Sequence, residues 1–212
     1  MVRKARLHFK QIVFAAIVFC FVSCSNTKKK GEITSLSFFV DTSLITRDTV
    51  LSTAANLRLY NGIYYLNNQP YSGHIKELYG NNQVSTVSGY LNGMQHGSSV
   101  SYYPDGKPRF IRMYKANKSF GKHIGYWNNG YQKFEFYYLD DKREGPNKQW
   151  YESGKPYAFL NFKDDKEDGM QYAWRENGKA YINYEAKDGF RYGLQKSALC
   201  YTLVDEKLKP KE

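Results

Sequence analysis

Cysteine is scarce in this chain: three occur among 212 residues, at positions 20, 24 and 200. Two of them sit in an apolar N-terminal segment. A chain processed at Cys24 keeps one free thiol and no internal disulfide, so its stability must come from packing. Cys200 reads as a small apolar residue near a last strand. Aliphatic residues are also few. Between 97 and 192 there are eight Leu, Ile, Val or Met against 23 aromatics, which excludes the aliphatic interior of a two-layer sandwich. No stretch is long enough for a helical crossover, which excludes a parallel sheet. The longest apolar run, residues 12–22, falls well short of the ~20 residues a bilayer span requires.

Chemistry is missing too. The chain has no Walker loop, no G-x-S-x-G and no H-E-x-x-H. His74, His96 and His123 have no metal-ligand spacing and read as surface residues, so no metal and no cofactor are expected. Asp140-Asp141 and Asp164-Asp165 resemble paired carboxylates, but Asp favours tight turns and they recur where a turn is needed. No catalytic residue is assigned, and the chain is not expected to be an enzyme.

Charge narrows the partners. The formal net charge is +11, with Arg3, Lys4, Arg6 and Lys10 unopposed near the start. From Cys24 onward the balance is +7, and residues 97–192 carry 17 basic and 13 acidic side chains, interspersed. Nucleic-acid binders gather their cations in a patch or stripe, so no nucleic acid is expected.

What the chain does have is a period. Gly73, Gly97, Gly121, Gly145, Gly169 and Gly193 recur every 24 residues without an insertion. Counting each marker glycine as position 0, a second glycine stands at position 9 (Gly106, Gly130, Gly154, Gly178), replaced in the first unit by Asn82. Position 5 carries Leu78, Tyr102, Tyr126, Trp150 and Trp174. A period of this kind marks a stacked array in which each unit packs on its neighbours. Two turn signals fall in each unit. One is Asp105-Gly106, Asn129-Gly130, Ser153-Gly154 and Asn177-Gly178, expected as a type I′ turn. The other, at positions 19 and 20, is Asn92-Gly93, Asp140-Asp141, Asp164-Asp165 and Asp188-Gly189. The runs between are rich in Tyr, Phe and Trp, the composition of strands.

The expected fold is therefore all-β: an elongated, mostly single-layer antiparallel meander of tandem 24-residue hairpins. Tyr rings and Lys or Arg stems, which tolerate partial wetting, shield the sheet in place of a second layer. The marker glycine is expected to make room for an aromatic of the adjacent strand, with Tyr90, Tyr114, Tyr138 and Phe162 at position 17 as candidates. The array runs from 57 to 193: a partial unit at 57–72, with an Asn61-Gly62 turn, and then five full units. Before it, residues 24–56 form a tether and lead-in, with strands expected at 36–40 and 49–51. After it, residues 194–212 hold a last strand and a charged tail whose Pro210 suits an unpaired end.

The first 23 residues read as a signal peptide, with a basic start and an apolar core. They end in Phe21-Val22-Ser23-Cys24, which resembles a lipobox with Phe in place of the usual Leu. Cys24 is the expected lipidation site. The polar stretch 25–31 with its three lysines is a solvated tether. The resemblance places the protein in a bacterial cell envelope, anchored by lipid to the outer membrane and facing the periplasm.

The segments Gly121-Lys122-His123-Ile124-Gly125-Tyr126-Trp127-Asn128-Asn129-Gly130, Gly145-Pro146-Asn147-Lys148-Gln149-Trp150-Tyr151-Glu152-Ser153-Gly154 and Gly169-Met170-Gln171-Tyr172-Ala173-Trp174-Arg175-Glu176-Asn177-Gly178 resemble MORN-repeat variants: a Gly, an aromatic pair, then Asn-Gly. The resemblance implies a hairpin array used as a scaffold or interaction surface, and some bacterial members of the family are described as antitoxin-like. The expected function is a non-enzymatic docking surface for another envelope protein. The alternatives are an envelope glycan-binding module and an antitoxin-like immunity protein. The candidate binding face is the position-5 row: Tyr102, Tyr126, Trp150 and Trp174.

Overall fold

The computed structural model describes residues 38–195, together with the strand backbones Tyr201–Val204 and Lys207–Pro210. Within them there is no α-helix, and most of the array is one long sheet of consecutive antiparallel strands. The unit that starts at Gly121 shows how the sequence builds it. Gly121–Tyr126 pairs with Gln132–Leu139 around a first turn, and a second turn at Asp140-Asp141 returns the chain as the short strand Lys142–Arg143. The next marker, Gly145, opens the strand Gly145–Trp150, and the pattern repeats through Gly169–Trp174.

The second turn is a two-residue type I′ turn. Both central residues have positive φ at Asp140 and Asp141 (49° and 69°), at Asp164 and Asp165 (49° and 68°) and at Asn92 and Gly93 (51° and 78°). Asx residues and glycine tolerate this region best, which accounts for the recurrence of Asp and Asn. The acidic pairs are thus turn residues, as expected. The first turn differs from expectation. Only Gly130 of its loop has positive φ (90°), its N–H bonds Trp127 O at 2.9 Å, and Trp127 N–H bonds Tyr131 O at 2.8 Å. This is a three-residue loop: a type I turn closed by a left-handed glycine, not type I′. Asn82 occupies the same left-handed place in the first unit at φ 63°. The register shift between Gly125 and Tyr126 is a separate β-bulge, in which Lys133 of the returning strand is the unpaired residue, and every unit has its counterpart.

The marker glycines do pair with position 17 as anticipated: Gly73 with Tyr90, Gly97 with Tyr114, Gly121 with Tyr138 and Gly145 with Phe162. Their role is conformational, however. Gly97, Gly121, Gly145 and Gly169 have φ of 77°, 72°, 77° and 83°. At each of them the ladder that follows the second turn is interrupted; beyond it the strand pairs with the next hairpin and, in a shifted register, with its own. The atoms nearest an added Cβ at Gly97 and Gly121 belong to Thr42, Ile45 and Phe38 of the lead-in, not to the paired tyrosine.

The hand-over leaves a split between strands, and position 2 fills it. The His123 Nε2 lies 2.7 Å from Met113 O. Tyr137 N–H donates to Asn147 Oδ1 (3.0 Å), and Gln171 bonds both Asn161 N–H (3.1 Å) and Asn161 O (2.9 Å). Each bond spans ten residues, and all three side chains are buried. His123 was expected on the surface; it is 4% exposed, between the rings of Tyr114 and Tyr138, because the split requires a buried polar group there.

Four further expectations are corrected. Thr49–Leu51 is a strand, but it pairs parallel with Gly73–Leu78, so one edge of the sheet is not antiparallel. Phe38–Val40 holds no strand; Phe38 packs edge-on against Phe120 at 6.1 Å and Val40 is buried, while residues 36–37 lie outside the described residues. The partial unit forms its own three-stranded sheet from Leu57–Tyr60, Ile63–Leu66 and Gln69–Pro70. The charged tail is paired rather than free, since Lys207–Pro210 forms a ladder with Tyr201–Val204 that sets Leu203 opposite Leu208.

Two outcomes test this reading. Ala116 occupies a type I′ turn at φ 50°, where an L side chain costs roughly 1–2 kcal/mol. Ala116→Asn should raise stability by up to about 1 kcal/mol, whereas Gly130→Ala, which has open space around it but φ 90°, should lower it by a similar amount in denaturant melts. Burial also pushes the His123 pKa below its ordinary value, partly offset by the bond to Met113 O. The unfolded chain then binds the extra proton, so this contribution is full above pH ~6.5 and is lost as pH falls toward the depressed folded value. His123→Gln, which places there the residue found at 171, should flatten the fall in melting temperature between about pH 6.5 and 5.

Candidate interaction face

Strand alternation assigns the side chains of the sheet to two faces. Across the strands, Tyr172, Phe159, Lys148, Glu135, Ile124 and Ile111 are paired in one continuous line. The neighbouring line, Ala173, Ala158, Gln149, Phe134, Gly125 and Phe110, belongs to the opposite face. That opposite face holds the buried groups His123, Asn147, Gln171, Phe162 and Tyr184. The first face is half-exposed, and part of it is covered by the lead-in: Phe38 lies 5.7 Å from Tyr137, and Ile45 approaches Gly89 and Gly97.

All four candidate side chains at position 5 are half-buried and stand at the register shift beside the first turn. The structure brings two of them together. Phe159 receives Trp150 edge-on at 5.6 Å and Trp174 edge-on at 5.2 Å, and Tyr172 stacks on Trp174 at 5.8 Å with planes 15° apart. Lys148 lies over the Phe159 ring at 5.8 Å. Ring contacts among the described residues do not extend this cluster to Tyr126 or Tyr102. The residues between explain the break: position 14 is Phe159 between the two tryptophans, but Glu135 and Ile111 in the preceding units. Glu135 instead accepts Lys122 at 2.8 Å. Burial raises its pKa, but the bonds and charge of Lys122, with bonds from Gln132 and Tyr137, bring it below the ordinary carboxylate value.

One row was not anticipated. Position 6 carries Tyr79, Tyr103, Trp127 and Tyr151, and each donates to the backbone carbonyl of position 5 in the next unit. The bonds are Tyr79 Oη to Tyr102 O (2.6 Å), Tyr103 Oη to Tyr126 O (2.9 Å), Trp127 Nε1 to Trp150 O (3.1 Å) and Tyr151 Oη to Trp174 O (2.9 Å). The signal was present in the sequence: every ring of the row carries an O–H or N–H, and none is Phe. A further bridge joins the second turns. Asn117, Asp141 and Asp165 accept at Oδ1 from the backbone N–H of Gln95, Ser119 and Arg143, at 2.6, 2.7 and 3.4 Å. Their own N–H groups donate to the carbonyls of the same three residues. In the three middle units the aromatic pair thus divides its work: position 6 joins units and position 5 presents a ring. Cations lie over several rings, including Lys133 over Trp127 at 4.1 Å and Arg112 over Phe110 at 4.7 Å, consistent with basic stems shielding the sheet.

The proposed lipid site, Cys24, lies outside the described residues. Among the described residues no group of three or more His, Cys, Asp or Glu is placed to hold a metal ion, and no helix is long and apolar enough to cross a membrane. No protein-family model matches the chain, and no curated protein matches it.

The hydrogen bonds of the position-6 row are testable one at a time. Tyr151→Phe keeps the ring and removes one bond between units, and should cost about 1 kcal/mol in denaturant unfolding. Tyr131→Phe, at a ring 57% exposed, should change stability by less than about 0.5 kcal/mol.

Proposed function

We propose that this protein is a MORN-variant repeat scaffold, lipid-anchored through Cys24 in a bacterial envelope, and that its sheet docks another envelope protein without catalysing a reaction. The observation that carries this reading is the cluster of Trp150, Phe159, Tyr172 and Trp174. These four large rings are packed on one another and left half-exposed, on the sheet face opposite the buried groups His123, Asn147 and Gln171. Rigid aromatic anchors framed by hydrogen-bonded backbone are the usual centre of a protein–protein contact. The bonds from Trp127 and Tyr151 hold the carbonyls directly under the two tryptophans, so the rings are positioned before any partner arrives. The same cluster supports a second reading, in which Trp and Tyr faces stack on the sugar rings of an envelope glycan.

Crosslinking in intact cells, followed by purification from detergent-solubilised membranes, separates the two. The expected result is one stoichiometric envelope protein, lost when Trp150 and Trp174 are both changed to Ala. A membrane preparation with no protein partner, whose tryptophan fluorescence is quenched by soluble envelope glycan, would replace docking with glycan binding. Recovery from the cytosol would overturn the lipid anchor.

A further inference from the structure

The two aromatic rows differ in what they do with their donors. Each ring of position 6 from Tyr79 to Tyr151 gives its O–H or N–H to a backbone carbonyl. In the exposed cluster, Trp150 Nε1, Trp174 Nε1 and Tyr172 Oη have no hydrogen-bond partner among the described residues. None of the three is a buried atom, so each reaches solvent. An indole N–H can only donate. One patch of rings thus offers three donors to a ligand that brings acceptors.

The spacing of the rings narrows what that ligand is. The strands Gly145–Trp150 and Gly169–Trp174 flank Pro156–Lys163 in the sheet. Trp150 and Trp174, at equivalent positions, therefore stand two strand spacings apart, about 9.6 Å. Phe159 lies between them, 5.6 and 5.2 Å from their rings, with planes at 66° and 77°. A polyproline II helix turns once in three residues and so repeats about every 9.3 Å. It has no internal hydrogen bonds, and its carbonyls are free to accept. Laid across the strands, it sets residues three apart on the two tryptophans. Aromatic-lined grooves read proline-rich segments in this way. A straight helix follows the array only a short distance, because each strand turns from the last by roughly 20–25°. Towards Tyr126 the ring between is also lost, since Glu135 replaces Phe159 there.

One charge stands beside the rings. Lys148 precedes Trp150 by two residues on the same strand and lies over the Phe159 ring. Its neighbour across the ladder, Glu135, already holds Lys122 at 2.8 Å. Lys148 itself has no ion pair among the described residues. With three residues per turn, the residue next to a proline seated on Trp150 can point along the strand toward Lys148.

We propose that the face between Trp150 and Trp174 binds a proline-rich segment of a partner protein in the polyproline II conformation, with prolines three residues apart and an acidic residue beside one of them. The prolines pack on the two tryptophans and against Phe159. The donors of Trp150, Trp174 and Tyr172 bond the carbonyls of the segment, and its carboxylate meets Lys148. This rests on the docking reading above and names the chemistry of the partner at that site.

The test uses the full chain in detergent and a fluorescein-labelled peptide, Pro-Pro-Pro-Pro-Glu-Pro-Pro-Pro-Pro, read by fluorescence anisotropy. Proline on both sides of the glutamate presents the same contacts in either chain direction. Replacing every proline by alanine should weaken binding at least tenfold, and replacing the glutamate by lysine several-fold. Trp150→Phe and Trp174→Phe keep a ring and remove the N–H, and each should weaken binding several-fold at an unchanged melting temperature. Lys148→Glu should reverse the charge preference, so that the lysine peptide binds more tightly than the glutamate peptide. The proposal is overturned if the alanine peptide binds the parent protein as tightly as the proline peptide. A folded Lys148→Glu protein that still prefers the glutamate peptide overturns it too. So does peptide binding that appears only when residues 25–37 are deleted, since the tether then holds this face. Failure of the peptide, with tryptophan fluorescence quenched by soluble envelope glycan, replaces the segment with a sugar. Crosslinking keeps the two readings apart. A failed peptide, with a cellular partner still lost on changing Trp150 and Trp174 to Ala, leaves the docking reading standing and removes this segment. Peptide binding with every control met, but no partner in cells, supports the site and removes the scaffold.

Discussion

The array depends on one backbone event, the left-handed glycine at which each strand breaks register with its own hairpin and takes up the next. A side chain there costs roughly 1–2 kcal/mol, and the cost would recur in every unit. The swivel also opens the sheet, and an open sheet exposes backbone N–H and C=O groups that must find partners. The buried polar side chains at position 2 follow from that need. His123, Asn147 and Gln171 differ in chemistry but reach the same backbone position ten residues earlier. An aliphatic residue of similar size would pack equally well and leave the backbone unsatisfied.

Contacts between units are therefore polar and directional, where most repeat proteins bury aliphatic side chains. The phenol or indole donors of position 6 and the turn carboxylates and amides of position 20 act on opposite ends of each hairpin. Together they hold adjacent hairpins at both ends without a second layer beneath them. This accounts for the excess of tyrosine over leucine: a tyrosine supplies both the apolar ring that shields the sheet and the donor that ties it to its neighbour.

The fold class, the unit length and the position of both turns were legible in the sequence because each rests on a local rule repeated five times. Asn-Gly and Asp-Asp pairs announce turns wherever they occur, and a 24-residue glycine period leaves little freedom in how the units stack. The turn type at Asn129-Gly130 was not legible. The same dipeptide closes a two-residue or a three-residue loop, and the choice depends on whether Asn or only Gly takes the left-handed conformation. The burial of His123 was hidden for a related reason, since its partner is a backbone carbonyl with no sequence signature. At the candidate face, the placing of Trp150 and Trp174 at equivalent positions of adjacent units could be anticipated from their spacing. The exclusion of Tyr126 could not, because it depends on the residue between, Glu135 in one unit and Phe159 in the next. The lead-in was the least legible part, because nothing periodic marks which face it crosses.

The bonds that join units run at nearly constant sequence offsets: 23 residues for the aromatic donors and 22 for the turn caps. Inserting or removing one residue inside a unit breaks the offset of every bond that spans it, and so uncouples that unit from its neighbour. Inserting or removing a whole unit leaves all of them in register. Genetic change in such a gene is thereby channelled into whole-unit duplication and loss, and the reach of the protein can be adjusted only in steps of one hairpin.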